Sequence, residues 1–167
     1  MSLSKKTRRI LGIDPGLAST GWGVLDNDGG SIRHVDHGII NTKADCPRAQ
    51  RLFFIMTSVR QIIEKYNPTE AAIENLFFGK NVTSAIPVAE ARGVISAAVA
   101  EKGIPIHELT PNSIKKGVTG IVRADKKQVQ EMVKIILCLD EVPKPDHASD
   151  ALAAAICAAN SGLLKLS

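Results

Sequence analysis

RILGIDPGLASTGWGVLDNDGGSIRHVDHGIIN, residues 9–41, decides the fold. Its first six residues, RILGID, are short and aliphatic and end on Asp14-Pro15-Gly16, where the chain must turn. They read as a buried strand. TGWGVLD at 20–26 reads as a second strand, and Asn27-Asp28-Gly29-Gly30 follows with residues that tolerate the positive φ of a tight turn. Residues 31–41 supply a third strand, so the chain opens on a meander of three antiparallel strands.

Downstream the period changes. From Pro47, Leu52, Ile55, Met56, Val59, Ile62, Ile63 and Tyr66 fall at helical spacing until Asn67-Pro68 stops the run. EAAIEN at 70–75 is short and apolar, as a central strand requires. An alanine-rich helix then runs to about Lys102 and closes at Gly103. A cap at Thr83 or Ser84 would put Pro87 in its first turn, where proline is tolerated. Residues 104–109 form another strand, and 110–124 a loop or short helix. Asp125 with Gln128 makes a capping box for a helix whose core face is Val129, Met132, Val133 and Ile136. Pro143 and Pro145 break the chain before a last helix from about His147. A meander followed by strand–helix alternation implies α/β architecture: a mixed five-stranded sheet with helices on both faces, the layout of a ribonuclease H-like fold. One domain is expected over residues 1–167, frayed at about 1–7 and 161–167.

Of the 167 residues 44% are hydrophobic and 23% charged, the composition of a folded chain and not of a disordered tail. Aromatics make up 4%, so the core is expected to be aliphatic. A net charge of +4 permits an anionic partner without demanding one. Cys46, Cys138 and Cys157 show no metal-binding spacing, and Cys138 and Cys157 sit in apolar helical contexts where a thiol acts as a small hydrophobe. Three unpaired thiols suit a reducing cytoplasm. MSLSKKTRRILG is basic, but Asp14 interrupts any apolar run after it, so neither a signal peptide nor a membrane span is expected.

Four side chains carry the chemistry. Asp14 ends the first strand, Glu74 ends the fourth, and His147 and Asp150 share one face of the last helix at i, i+3. If the first and fourth strands are neighbours, all four converge at one edge of the sheet. Phosphodiester hydrolysis needs such a cluster, because the anionic oxygens repel an incoming hydroxide unless divalent cations neutralise them. Mg²⁺ prefers carboxylate oxygens, and two ions bridged by one carboxylate form a standard hydrolytic pair. Asp14 as a turn acid and Asp146 or Asp150 as helix-start carboxylates are the competing structural readings. Glu74 is harder to dismiss, since a carboxylate ending an apolar strand must be satisfied by something. Asp146 is expected to lie off the Asp150 face.

The segments LGIDPGLASTGWGV, AIENLFFGKN, EARG, TPNSIKKGVTG, ADKKQVQEMV and PDHASDALAAA occur in order within a stretch from about Leu11 to Ala159, and together they resemble the RuvC Holliday-junction resolvases. The resemblance implies metal-binding and catalytic roles for Asp14, Glu74, His147 and Asp150, with two Mg²⁺ per site and Mn²⁺ able to substitute. Many members carry aspartate where this chain has His147, which is a better ligand for Mn²⁺ than for Mg²⁺ and is also suited to activating water. The resemblance points to Phe77 as a residue that stacks on a junction base, within a DNA-contacting stretch of Phe77, Phe78, Lys80 and Asn81. Lys115 and Lys126 are expected near the scissile phosphate as catalytic cations, with Asn112, Ser113, Lys116, Arg123 and Lys127 as further DNA contacts. Lys126 and Lys127 open a helix, where the dipole disfavours cations but welcomes a phosphate. The stripe Ala85, Ala89, Gly93, Ala97 suits either packing on the sheet or close approach of a second protomer. The family is dimeric, and paired cuts in a four-way junction need two symmetric sites. A branch-migration motor is a partner by resemblance only.

Three rivals remain open at this point. One is a ribonuclease H-like nuclease acting on another structured nucleic acid. Another is an inactive junction-binding module. The third, a sugar-kinase-like ATPase, would need a second nucleotide-binding half that this chain length does not supply.

Overall fold

The computed structural model describes residues 7–76 and 82–161. β1 (Arg8–Asp14), β2 (Ser19–Asn27) and β3 (Ile32–Asn41) form the antiparallel meander. In its second turn, Asp28 accepts hydrogen bonds from the amides of Gly30 and Ser31, and Gly29 takes φ 86°. β4 (Glu70–Glu74) lies parallel to β1, and β5 (Ile106–Leu109) parallel to β4, giving the order β3-β2-β1-β4-β5. The sheet is mixed, as the strand pattern implies.

Strand alternation divides the core in two. Leu11 and Ile13 of β1 and Ala71 and Ile73 of β4 face one cluster, with α1 (Arg48–Tyr66) and α2 (Val82–Glu101) over them. Ile10 and Ala72 face the other, covered by α3 (Pro111–Thr119), α4 (Lys126–Ile136) and α5 (Asp146–Ser161). α1 buries Ile55, Val59, Ile63 and Tyr66 at helical spacing and ends on Asn67 in the left-handed region. The expected capping box of α4 is present, with both Asp125–Gln128 bonds formed. The stretch 110–124 holds a true helix, because Thr110 caps it and Pro111 fills its first position.

Two local expectations need correction. α2 begins at Val82, so Thr83 and Ser84 lie within it and Pro87 stands inside the helix, not in its first turn. Proline there has no N–H to give to the Thr83 carbonyl, and the helix tolerates that gap one turn from its start. Cys138 is exposed, with φ 52° just past the end of α4, so it is no small hydrophobe; Cys157 is buried as expected.

α2 is long and apolar enough to cross a membrane by length and composition, with 22% of that stretch buried. Its inward face is Ala91, Ile95, Ala98 and Val99, while Val82 and Ile86 are exposed. On the opposite side of the sheet, α5 is buried from Ala151 to Ala159 against β1 and β2. Two glycines make that approach possible. A Cβ on Gly12 would lie 1.9 Å from the Ala151 carbonyl oxygen, and one on Gly21 would lie 1.9 Å from that of His147. At the far end Arg8 caps α5 by donating to the Ala158 and Ala159 carbonyls, each at 3.2 Å. Arg8 is itself clamped by Glu70 at 2.6 and 2.8 Å, and Glu70 also meets His107 at 2.6 Å. Burial alone would raise the Glu70 carboxyl, but Arg8 and His107 hold it below its ordinary range.

Candidate active site

Asp14 is the last residue of β1 and follows Ile10 and Gly12 on the face covered by α5. Its strand partner is Gly21, the residue over which the first turn of α5 passes. The packing that removes side chains at 12 and 21 therefore lowers His147 and Asp150 onto Asp14. His147 Nδ1 lies 2.7 Å from Asp14 Oδ2, and one donor atom from each of Asp14, His147 and Asp150 falls within 4.8 Å of the others. Glu74 ends β4 on the same face, after Glu70 and Ala72. It lines a hollow of about 230 Å³ together with Lys115, Lys126 and Asp150.

The electrostatics are those of a site short of positive charge. Burial pushes Asp14 up; the bond from His147 opposes this, and Asp150 adds to it. Burial also pushes Glu74 up, and Asp14 and Asp150 push it further, with Lys115 opposing. Burial raises Asp150 too, despite Lys126 nearby. Three carboxyls held above their ordinary range by burial and crowding form a set whose ionised state a bound cation would favour. Carboxylate oxygens with one imidazole suit a divalent cation such as Mg²⁺ or Mn²⁺, so the donor set fits a bound metal.

Lys126 stands at the start of α4, with Nζ 3.2 Å from Asp146 Oδ2 and 3.3 Å from Asp150 Oδ2. That corrects the expectation for Asp146: at i, i+4 it shares the Asp150 face, and Lys126 bridges the two. Asp146 stays outside the three-residue cluster of Asp14, His147 and Asp150. Sequence spacing held this signal, but only the placement of Lys126 gives it meaning. Ser113 has its backbone N–H and hydroxyl engaged with Thr110 in the α3 cap, while Asn112 beside it is exposed. Lys116 and Arg123 are exposed, and Lys127 lines a separate hollow of about 430 Å³ with Thr119, Ile121 and Glu131. The expectations for Phe77, Phe78, Lys80 and Asn81 lie outside the described residues.

A mixed five-stranded sheet with acidic side chains at the ends of its first and fourth strands and on its last helix defines a ribonuclease H-like nuclease. The family model described as crossover junction endodeoxyribonuclease RuvC matches residues 10–158. The chain is 52% identical over 161 residues to the RuvC of Treponema denticola, covering 95% of this chain and 90% of that protein. It is 52% identical to the RuvC of Chloroflexus aggregans, covering 89% and 91%. Among solved structures, T. thermophilus RuvC in complex with Holliday junction substrate superposes with a TM-score of 0.90 at 31% identity, covering 95% of this chain and 96% of that one. This chain belongs to the RuvC family of crossover junction endodeoxyribonucleases. With family and fold agreeing, the ATPase and the inactive-module alternatives fall away.

Proposed function

We propose that the chain resolves four-way DNA junctions as a homodimer, with Asp14, Glu74, His147 and Asp150 as its hydrolytic centre. The observation that carries the proposal is the convergence of Asp14, His147 and Asp150 at the end of β1, with Glu74 and two lysines lining the hollow that Asp150 also lines. Asp14, Glu74, Asp150 and the His147 imidazole would hold two Mg²⁺, or Mn²⁺ in their place. Bound there, the metal supplies charge neutralisation of the phosphate and a lowered pKa for the attacking water. The protein's own groups do the rest. Asp14 orients the His147 ring through Nδ1, so the single lone pair left on Nε2 serves either as a metal ligand or, in its place, as the acceptor of a proton from water. Lys115 and Lys126 line the hollow, and their ammonium groups would stabilise the charge that grows on phosphate oxygens in the transition state. Water adds to phosphorus and the 3′-oxygen departs, leaving 5′-phosphate and 3′-hydroxyl ends.

Phe77, Phe78, Lys80 and Asn81 would engage the crossover, a base stacked on Phe77 being worth about 1–3 kcal/mol. Asn112, Ser113, Lys116, Arg123 and Lys127 would follow the arms through phosphate contacts. T. thermophilus RuvC was solved on a Holliday junction, which supports the same substrate here. The dimer is supported by α2, whose outer side leaves Val82 and Ile86 55% and 45% exposed and Gly93 open to close approach. Phe53 of α1, 61% exposed, adds to the apolar surface. A branch-migration motor would deliver the junction in the cytoplasm.

Cleavage of a labelled synthetic junction beside linear duplex and flap controls, with Mg²⁺, Mn²⁺ or EDTA, tests the proposal. Paired, ligatable nicks confined to the junction and lost in EDTA are expected. Equal cutting of flaps, or none of the junction, would overturn it.

A further inference from the structure

Glu74 sits where the sheet runs out. β5, its only neighbour on that side, is a four-residue edge strand, and Glu74 pairs with its last residue, Leu109. A catalytic carboxylate must be held to within roughly half an ångström, and a strand end beside so short a partner does not provide that by its ladder alone. The chain next to Glu74 is held twice more. Asn75 donates its backbone N–H to the Leu109 carbonyl at 2.7 Å. Its side-chain Oδ1 accepts from Arg92 Nη2 at 3.1 Å, and the same nitrogen donates to Glu108 Oε1 at 2.6 Å.

One guanidinium nitrogen thus ties three segments: the exit of β4, the last turn of β5, and α2. The Arg92 side chain is 21% exposed, and its Nε is buried without a partner among the described residues. A guanidinium tolerating an unpaired Nε is placed for what Nη2 does, since each buried donor left unmade is a cost. Arg92 is the neighbour of Gly93 on the helix proposed to form the dimer contact, so it joins that helix to the residue that follows Glu74. Phe77, the proposed stacking residue, comes two positions after Asn75.

We infer that Arg92 is a positioning residue: through Asn75 and Glu108 it fixes the β4 exit, and with it Glu74, without touching the substrate. The inference rests on the active site proposed above.

The test uses the full chain as Arg92→Met, which keeps the apolar stem and removes the donors, as Asn75→Ala, and as the double variant. Single-turnover cleavage of a labelled junction is read as rate constant and amplitude, beside junction binding in Ca²⁺ and Mn²⁺ affinity by calorimetry without DNA. A structural defect lowers the amplitude and leaves the rate constant of the folded fraction alone. Positioning lowers the rate constant by about tenfold or more while amplitude and junction affinity stay within about twofold. Mn²⁺ affinity should fall by about threefold or more. The double variant should be no slower than the slower single one, because both changes break one bond. A rate constant within about threefold of the unaltered protein, or losses that multiply in the double variant, would overturn the inference. Should Arg92→Met fail to fold, Asn75→Ala removes the same bond from the other side and decides on the same readouts. Unaltered protein that leaves the junction intact would refute the functional proposal alone; the Mn²⁺ affinities would then decide the role of Arg92, unchanged values overturning it.

Discussion

Replacing Gly21 with alanine tests whether α5 must lie directly on the sheet for the site to exist. The new Cβ would stand 1.9 Å from the His147 oxygen, 2.2 Å from its carbonyl carbon and 2.9 Å from the Ala148 nitrogen. All three are backbone atoms, so no side chain can swing away. Ordinary contact begins near 3.4 Å, which means the first turn of α5 must retreat by about 1.5 Å. Overpacking of this kind costs about 1–3 kcal/mol, which for a chain of this size lowers the melting temperature by roughly 3–10 °C. The larger effect falls on chemistry. His147 and Asp150 ride on that turn, and a misplacement of about 1 Å can cost roughly 100-fold in rate. Single-turnover cleavage of a labelled junction should therefore slow by about two orders of magnitude, while junction binding in Ca²⁺ stays within a few fold. Gly30→Ala is the control, since its Cβ would meet only Asp28 Oδ1 at 3.6 Å. A Gly21→Ala protein with unchanged melting temperature and unchanged cleavage would refute the close-packing account of the site.

Glu74→Gln removes a carboxylate that burial and its acidic neighbours disfavour. In EDTA at neutral pH it should raise the melting temperature while abolishing cleavage, as scanning calorimetry and the junction assay would show. Because the Asp14, Glu74 and Asp150 carboxyls are raised in the folded state, they favour folding at acid pH and lose that contribution as pH rises through their folded values. Mg²⁺ at about ten times its dissociation constant should restore roughly 1–2 kcal/mol at neutral pH, read as a melting shift that Asp14→Asn lacks. Glu70 has the opposite sign: its carboxyl is depressed, so its stabilisation is present above the ordinary glutamate value of about 4.3 and is lost as pH falls through the lower folded value. Glu70→Gln should accordingly flatten the fall in melting temperature below about pH 4.5, relative to the unaltered protein. His147→Ala should slow cleavage by about 100-fold or more in either metal, and a full rate would remove His147 from the chemistry.

The meander, the strand carrying Glu74 and the capped α4 could be read from sequence because each depends on neighbours close in the chain: alternation, turn glycines, a cap and its partner three residues on. The positions of Asp14, Glu74, His147 and Asp150 were legible as element ends. What could not be read was anything decided by contact between distant segments. Gly12 and Gly21 look like ordinary strand glycines until α5 is laid across them. Arg8, Glu70 and His107 are scattered by 99 residues in the chain, yet make one cluster that seats the far end of α5. Lys126 reads as a helix-start anomaly, whereas its partners Asp146 and Asp150 come from another helix. Pro87 was misplaced because a proline's position in a helix depends on where the helix starts, and α2 starts at Val82, ahead of both Thr83 and Ser84.

The order in which the chain is made bears on when the proposed site can form. Asp14 and Glu74 emerge early, but His147 and Asp150 arrive on the last helix, which must dock across strands made more than a hundred residues before. A chain that stops before residue 146 would lack His147 and Asp150, two of the four residues proposed for the hydrolytic centre. Assembly of the proposed site therefore waits on the docking of α5, however early the strands beneath it have paired.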